Sequence, residues 1–214
     1  VDSAFGEEVG IVVNGIPAAV YGSTFVANHV PLYDGENEII VSAVNAQGDT
    51  SQSEVSVYAD IARPCITLDA GEFSGVSVFE AVLTVDSLFS SENQTVTYTG
   101  PDEVQFLESR DESEYRIQIS KEGVYFFTVE VIDGTAVYRD TVGIVVHSEA
   151  GIDAMLRSKW EDMRTALSRN DIEAAVKVFS SATKRAYANA FGMMTQEQRA
   201  EFVQELGTIR FVKM

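Results

Sequence analysis

Cysteine is almost missing from this 214-residue chain, where Cys65 stands alone. An internal disulfide is excluded, and so is a metal site built from several thiolates. Histidine is nearly as scarce: only His29 and His147 occur, far apart in sequence. Catalysis by a Ser-His-Asp or Cys-His arrangement needs a base beside its nucleophile, and neither histidine has a nucleophile elbow near it. The sequence therefore offers no catalytic residue, and both histidines read as exposed structural side chains. No apolar run approaches the roughly 18 residues a membrane-spanning helix needs. Glycines are scattered singly at turns, so no phosphate-cradling loop is present. The first residues lack a basic stretch followed by an apolar one, which sets the expectation of a mature or excised chain.

Basic residues are also scarce, and unevenly so. Residues 1–60 hold nine acids and no Lys or Arg; residues 61–148 hold fifteen acids and five bases. Residues 149–214 reverse the balance, with nine acids and ten bases, and the whole chain carries −18. An acidic surface repels phosphate backbones, which argues against nucleic acid as a partner. Its general value is solubility.

What is present reads first as short strands. Ile11 and Val13 alternate ahead of Asn14-Gly15, a strong short-range hairpin signal. Ile39, Val41 and Ala43 alternate with Glu38, Ile40 and Ser42. Asp34-Gly35 and Asn45-Ala46-Gln47-Gly48-Asp49 read as turns, and Val55 and Val57 as a last strand. Turn signals about every ten residues indicate a sandwich or barrel. The string Val12-Val13-Asn14-Gly15, Thr24-Phe25, Val30-Pro31-Leu32, Gly35-Glu36-Asn37, Ile39, Val41, Ala43 and Gly48 resembles the bacterial Ig-like domains of surface proteins. It is also similar to the glucodextranase B-type accessory domain. The resemblance covers residues 1 to about 60 and implies a β-sandwich. Domains of that type begin with two strands before the Val-Asn-Gly hairpin, so the expectation is a first sandwich incomplete at its N-terminus. Strands of a neighbouring subunit would complete it, or a longer parent chain.

Residues 61–64, Ile-Ala-Arg-Pro, read as a linker, because Pro64 disfavours regular structure through Arg63. Cys65 reads as a small buried residue at a strand start. Beyond it, Ile66 and Leu68, then Phe79, Ala81, Leu83 and Val85, read as strands. Tyr125, Phe127, Val129 and Val131 alternate up to the turn Asp133-Gly134, and Val142, Ile144 and Val146 close the region. Ser74-Gly75, Gly123-Val124-Tyr125, Thr128-Val129-Glu130-Val131-Ile132-Asp133 and Asp140-Thr141-Val142 resemble a PKD-type β-sandwich spanning 61–148. That family's Trp-Asp-Phe-Gly-Asp-Gly segment is absent; Tyr98-Thr99-Gly100-Pro101-Asp102-Glu103 stands near its place.

At residue 149 the period changes from 2 to 3.6. Ile152, Leu156, Trp160, Met163 and Leu167 share one helical face. Asn170 with Glu173 reads as a capping box opening a second helix that carries Ile172, Val176 and Phe179, with Tyr187 and Phe191 as its extension. Thr195 with Gln198 opens a third, bearing Phe202, Val203 and Leu206, and Gly207 is a natural stop. Residues 149–214 resemble the helical half of NTF2-like modules, in which a sheet follows; Ile209-Arg210-Phe211-Val212 reads as its first strand. Apolar faces on three helices need a surface to pack on, whether a sheet, the second β region or another subunit.

The expected fold is mainly β: two tandem Ig-like and PKD-like sandwiches over 1–60 and 61–148, then helices over 149–214. Two features could bind. Asp102, Glu103, Asp111 and Glu112 read as solvated loop charges, or as Ca²⁺ ligands, since hard cations take several loop oxygens; EF-hand spacing is absent. Tyr21, Tyr33, Tyr58 and Tyr98 read as edge packing, or as a stacking platform for sugar. No other cofactor is implied. The expected role is a non-catalytic spacer or adhesion region of an exported bacterial protein, at the cell surface, outside the cell or in the periplasm. Its partners would be proteins or neighbouring subunits, and possible polysaccharide. The alternatives are an accessory carbohydrate-binding region of a secreted enzyme and a filament subunit completed by strand addition.

Overall fold

The computed structural model describes residues 9–45, 49–60, 66–90, 93–109 and 111–208. Among the described residues thirteen strands come first and helices last. The chain is thus mainly β with a helical C-terminus, and it divides into two compact units, residues 1–149 and 150–214. Pro64, Cys65 and the 209–212 strand lie outside the described residues, as do the N-terminal residues on which completeness of the first domain turns.

Residues 9–59 form one antiparallel sheet of five strands: β1 (Val9–Val13), β2 (Ile16–Tyr21), β3 (Thr24–Val26), β4 (Gly35–Asn45) and β5 (Thr50–Ala59), in the order β3-β2-β1-β4-β5. The β1–β2 hairpin turns on Asn14 and Gly15, both at positive φ (46° and 86°), as a two-residue primed turn requires. Asn14 does a second job that its turn propensity does not reveal. Its Oδ1 accepts from the Ile40 N–H (2.7 Å) and its Nδ2 donates to the Glu38 carbonyl (3.0 Å), splicing the turn to β4. Asn45 and Asp49 bridge the β4–β5 turn through the Asp49 N–H and side-chain amide bonds. Of the first sandwich, then, the described residues supply one sheet, with Ile11 and Val13 buried on one face.

The second β region is a two-sheet sandwich. One sheet has β6 (Ile66–Ala70), β8 (Phe79–Ser87), β10 (Val104–Leu107) and β11 (Glu114–Ile119); the other has β7 (Ser74–Val76), β9 (Gln94–Thr99), β12 (Gly123–Asp133) and β13 (Ala136–His147). Alternation along β12 buries Tyr125, Phe127, Val129 and Val131 against Leu68, Leu83 and Ile117 of the facing sheet, beside Ile144 of the neighbouring β13. Tyr125 ties the fold together locally: its hydroxyl donates to the Lys121 carbonyl (2.9 Å), the corner motif of Greek-key sandwiches. Gly100 gives the Tyr125 ring its space, because a Cβ there would stand 2.2 Å from it.

The helical unit has α1 (Glu149–Ser168), α2 (Ile172–Ala175), a 3-10 turn (Val176–Val178), α3 (Ser181–Met193) and α4 (Gln196–Leu206). Met163, Leu167, Val176, Phe191 and Leu206 form a core of their own, so the helices supply one another with packing surface. Two expectations change. The cap of α2 is Asp171, which accepts from the Ala174 N–H (2.9 Å); Asn170 instead takes a left-handed φ of 62° just past α1, a conformation that asparagine tolerates. Tyr187 and Phe191 do not extend the second helix, because Phe179 is extended and breaks it. They lie on α3, where Tyr187 stacks on Phe179 at 3.9 Å. The Thr195–Gln198 capping box forms as read, and Gly207 caps α4 with an ordinary right-handed φ of −67°.

Candidate functional site

His29 is exposed, as read from the sequence, whereas His147 is partly covered, and both make contacts. His29 follows β3 in a loop at φ 53°, and its side chain is exposed. Its Nε2 lies 3.1 Å from the Leu68 carbonyl, its Nδ1 lies 3.9 Å from Asp69 Oδ1, and its ring meets Phe73 edge-on at 5.5 Å. His147 ends β13, 6.2 Å from the Tyr21 ring. Both therefore sit where the first sheet meets the second sandwich.

That meeting place is built around one glycine. The Asn28 amide exchanges two hydrogen bonds with the Gly143 backbone, donating to its carbonyl and accepting from its N–H, each 2.8 Å. The side chain thus behaves as a neighbouring strand residue and satisfies β13 in mid-strand. A Cβ on Gly143 would stand 2.5 Å from Val26 Cγ1 and 3.1 Å from the Phe126 ring, so only glycine allows this approach. The consequence shows in β13, where burial stops alternating and all of Val142–Val146 is buried. Sequence period alone assigned Val142, Ile144 and Val146 to the core; Gly143 and Val145 are covered on the opposite face.

The acidic residues singled out for Ca²⁺ are not brought together. Asp102 and Glu103 precede β10, and Asp111 and Glu112 follow it, so the strand sets the pairs roughly 10 Å or more apart. Asp102 accepts from the Glu103 N–H (3.0 Å) and lies 3.9 Å from Lys121 Nζ. Asp111 accepts from the Ser113 N–H (2.9 Å) and hydroxyl (2.7 Å), and these bonds hold its carboxyl below the usual range. Among the described residues no group of three or more His, Cys, Asp or Glu could hold a metal ion.

The four tyrosines separate. Tyr98 is packed on Phe127 (6.0 Å), and its hydroxyl accepts from the Val104 N–H (3.1 Å). Tyr21 is half-buried, and burial followed by the nearby Glu122 charge pushes its phenol up. These two are packing residues, as read. Tyr33 and Tyr58 are not: they are 77% and 80% exposed. Tyr33 is nevertheless held, because buried Asn37 accepts from its N–H and donates to its carbonyl, both at 2.7 Å. Tyr58 stands opposite Glu36 in the β4–β5 ladder. Tyr33, just ahead of β4, and Tyr58, on β5, thus present exposed rings on a backbone that is held in place.

In the helical unit, sequence reading missed Arg199. It is 9% exposed, yet it donates to the Asn170 side chain and to the Phe191 (3.3 Å) and Met194 (3.0 Å) carbonyls. A cation at the C-terminal end of α3 suits the helix dipole. It joins α1, α3 and α4 from within. A shallow depression of about 460 Å³ beside it, lined by Met193, Met194 and Phe202, presents no convergent acid-base pair.

No protein-family model matches the sequence, and no curated protein matches it. Among solved structures, PcdhgB3 EC1-4 aligns over 66% of this chain and 41% of its own, at 13% identity and a TM-score of 0.30. Murine CEACAM1b aligns over 61% of this chain and 68% of its own, at 15% identity and a TM-score of 0.30. A SusE-like surface-located polysaccharide-binding protein of Bacteroides thetaiotaomicron aligns over 66% and 29%, at 13% identity and a TM-score of 0.28. This chain thus spans less than half of the first and under a third of the third. Superpositions this loose bear on neither family nor function.

Proposed function

We propose that this chain is a non-catalytic spacer or adhesion region of an exported bacterial surface or extracellular-assembly protein. The observation that supports it is the joint at Gly143. A spacer has to hold one module at a fixed attitude on the next. Asn28 gives the joint two directed bonds, His29 adds contacts to Leu68, Asp69 and Phe73, and Gly143 admits the close approach. Flexible tandem modules carry polar linkers with few contacts crossing them. The acidic surface keeps such an arm soluble and away from anionic polymers. The test is ¹⁵N relaxation of the full chain. Residues 9–59 and 66–147 are expected to tumble with one correlation time; two distinct times overturn the spacer reading.

A second reading, an accessory carbohydrate-binding region, draws on Tyr33 and Tyr58, whose exposed rings could stack on sugar faces beside Glu36. A glycan array separates the two: micromolar binding to a defined polysaccharide, lost in Tyr58→Ala, favours the second.

A further inference from the structure

The free side of β5 is unusual for a sheet edge. Among the described residues β5 ends its sheet, pairing with β4 through ten consecutive positions, Gly35↔Ala59 to Val44↔Thr50. In an antiparallel ladder alternate residues turn N–H and C=O away from the partner, so the far side presents a row of unpaired groups. Sheets blunt such edges with lysine, proline, a bulge or brevity. The segment Thr-Ser-Gln-Ser-Glu-Val-Ser-Val-Tyr-Ala has none of these and carries a single charge, Glu54, which repels only acidic partners; its ten residues exceed the usual five or six.

The burial pattern points the same way. Val13, Val41 and Ser53 are aligned across the sheet, and Ile39 with Val55 lies two residues along on the same face. On that face Val13 is 5% exposed at the centre, whereas Val55 at the edge is 54% exposed. The apolar row stops one strand short of being covered. The opposite face carries Glu36, Glu38, Glu54 and Tyr58, aligned through Glu36↔Tyr58, Glu38↔Ser56 and Ile40↔Glu54. No Lys or Arg occurs anywhere in residues 1–60 to offset them.

We propose that β5 is a docking edge for an extended basic segment of a partner protein, which adds as a sixth strand. Main-chain hydrogen bonds supply the affinity, and alternate side chains supply the selection. One face of the added strand carries apolar residues that cover Val55 and Val57. The other carries Lys or Arg opposite the glutamates, with one cation over the Tyr58 ring. A second copy of this chain is the poorer occupant. Each chain carries −18, and an antiparallel β5–β5 pair would set like-charged Glu54 side chains near each other. The proposal rests on the interaction-region reading above and gives its edge a partner of stated chemistry.

The experiment titrates the full chain with a ten-residue peptide alternating Val or Thr with Lys, followed by fluorescence anisotropy and amide hydrogen exchange. One control replaces Lys by Glu; another keeps every side chain but N-methylates the central amides. The Lys peptide is expected to bind in the range of about 10–100 μM, with each control at least about tenfold weaker. Amides of 51–59 should exchange about tenfold more slowly in its presence. Glu54→Lys, at an exposed position, should weaken the Lys peptide about fivefold or more. Equal binding by the N-methylated peptide means charge attraction alone and overturns the proposal. So does protection outside β5, or no binding at millimolar peptide. If the β regions tumble as one body and the peptide fails, the edge fails alone. If the peptide binds while they tumble separately, the spacer reading fails alone.

Discussion

Asn28→Ala should unlock the first sheet from the sandwich while leaving both folded. Asn28 makes two bonds of 2.8 Å with a single residue in mid-strand, and Ala makes neither. A typical neutral hydrogen bond contributes about 1 kcal/mol net, so the pair contributes about 2 kcal/mol. That converts to roughly 30-fold faster opening at the joint, since about 1.4 kcal/mol is tenfold. Hydrogen exchange read by peptide gives the assay: segments 16–29 and the Gly143 amide should accelerate, and 66–70 less so. Asn28→Asp sharpens the argument. A carboxylate still accepts from the Gly143 N–H, but it cannot donate to the carbonyl and turns a negative oxygen toward it. Asp should therefore cost at least as much as Ala, although it is nearly isosteric. Gly143→Ala attacks the same joint from the other side, through the 2.5 Å approach to Val26. If Asn28→Ala changes exchange less than about twofold, or if Asp is tolerated better than Ala, the joint is not held by this amide.

Tyr125→Phe keeps the ring in the core and removes only the bond to the Lys121 carbonyl, so urea unfolding of the sandwich should lose about 1 kcal/mol; no change would mean that the corner contributes nothing. Ser113→Ala should raise the Asp111 carboxyl toward the ordinary carboxylate value, as read by ¹³C titration, because the serine hydroxyl is one of two donors holding it down. A carboxyl depressed in the folded state stabilises above its unfolded pKa, and that contribution is lost as pH falls through the folded value, so the variant should lose some of its pH dependence at the acid end. CaCl2 and NaCl at equal ionic strength should shift the melting temperature by amounts within about 1 °C of each other, since both screen a chain at −18 and the acidic pairs lie at opposite ends of β10. A larger, saturable shift with Ca²⁺ would show that a cation site forms after all.

Local pattern decided much of this molecule. Alternation from Tyr125 to Val131 makes β12 a strand with one buried face whatever surrounds it, and Asn14-Gly15 reverses the chain because both positions accept positive φ. The Thr195–Gln198 box starts α4 through bonds that span three residues. The strands β7 and β10 have little signal because they are short, as in Ser74–Val76 and Val104–Leu107; β9 and β11 do alternate, as Tyr115, Ile117 and Ile119 do with Arg116 and Gln118, and the sequence reading passed over them. What the tertiary structure alone decided concerns contacts between residues distant in the chain. Asn28 and Gly143 are 115 positions apart, so neither the joint nor the burial of Val145 has a local signal. Arg199 is buried because three helices bring carbonyls and Asn170 around it, which composition reads only as a surface charge. The exposure of Tyr58 and Val55 depends on which strand lies at the edge. Sheet order is set by long-range pairing, whereas sequence period reports only which side chains share a face.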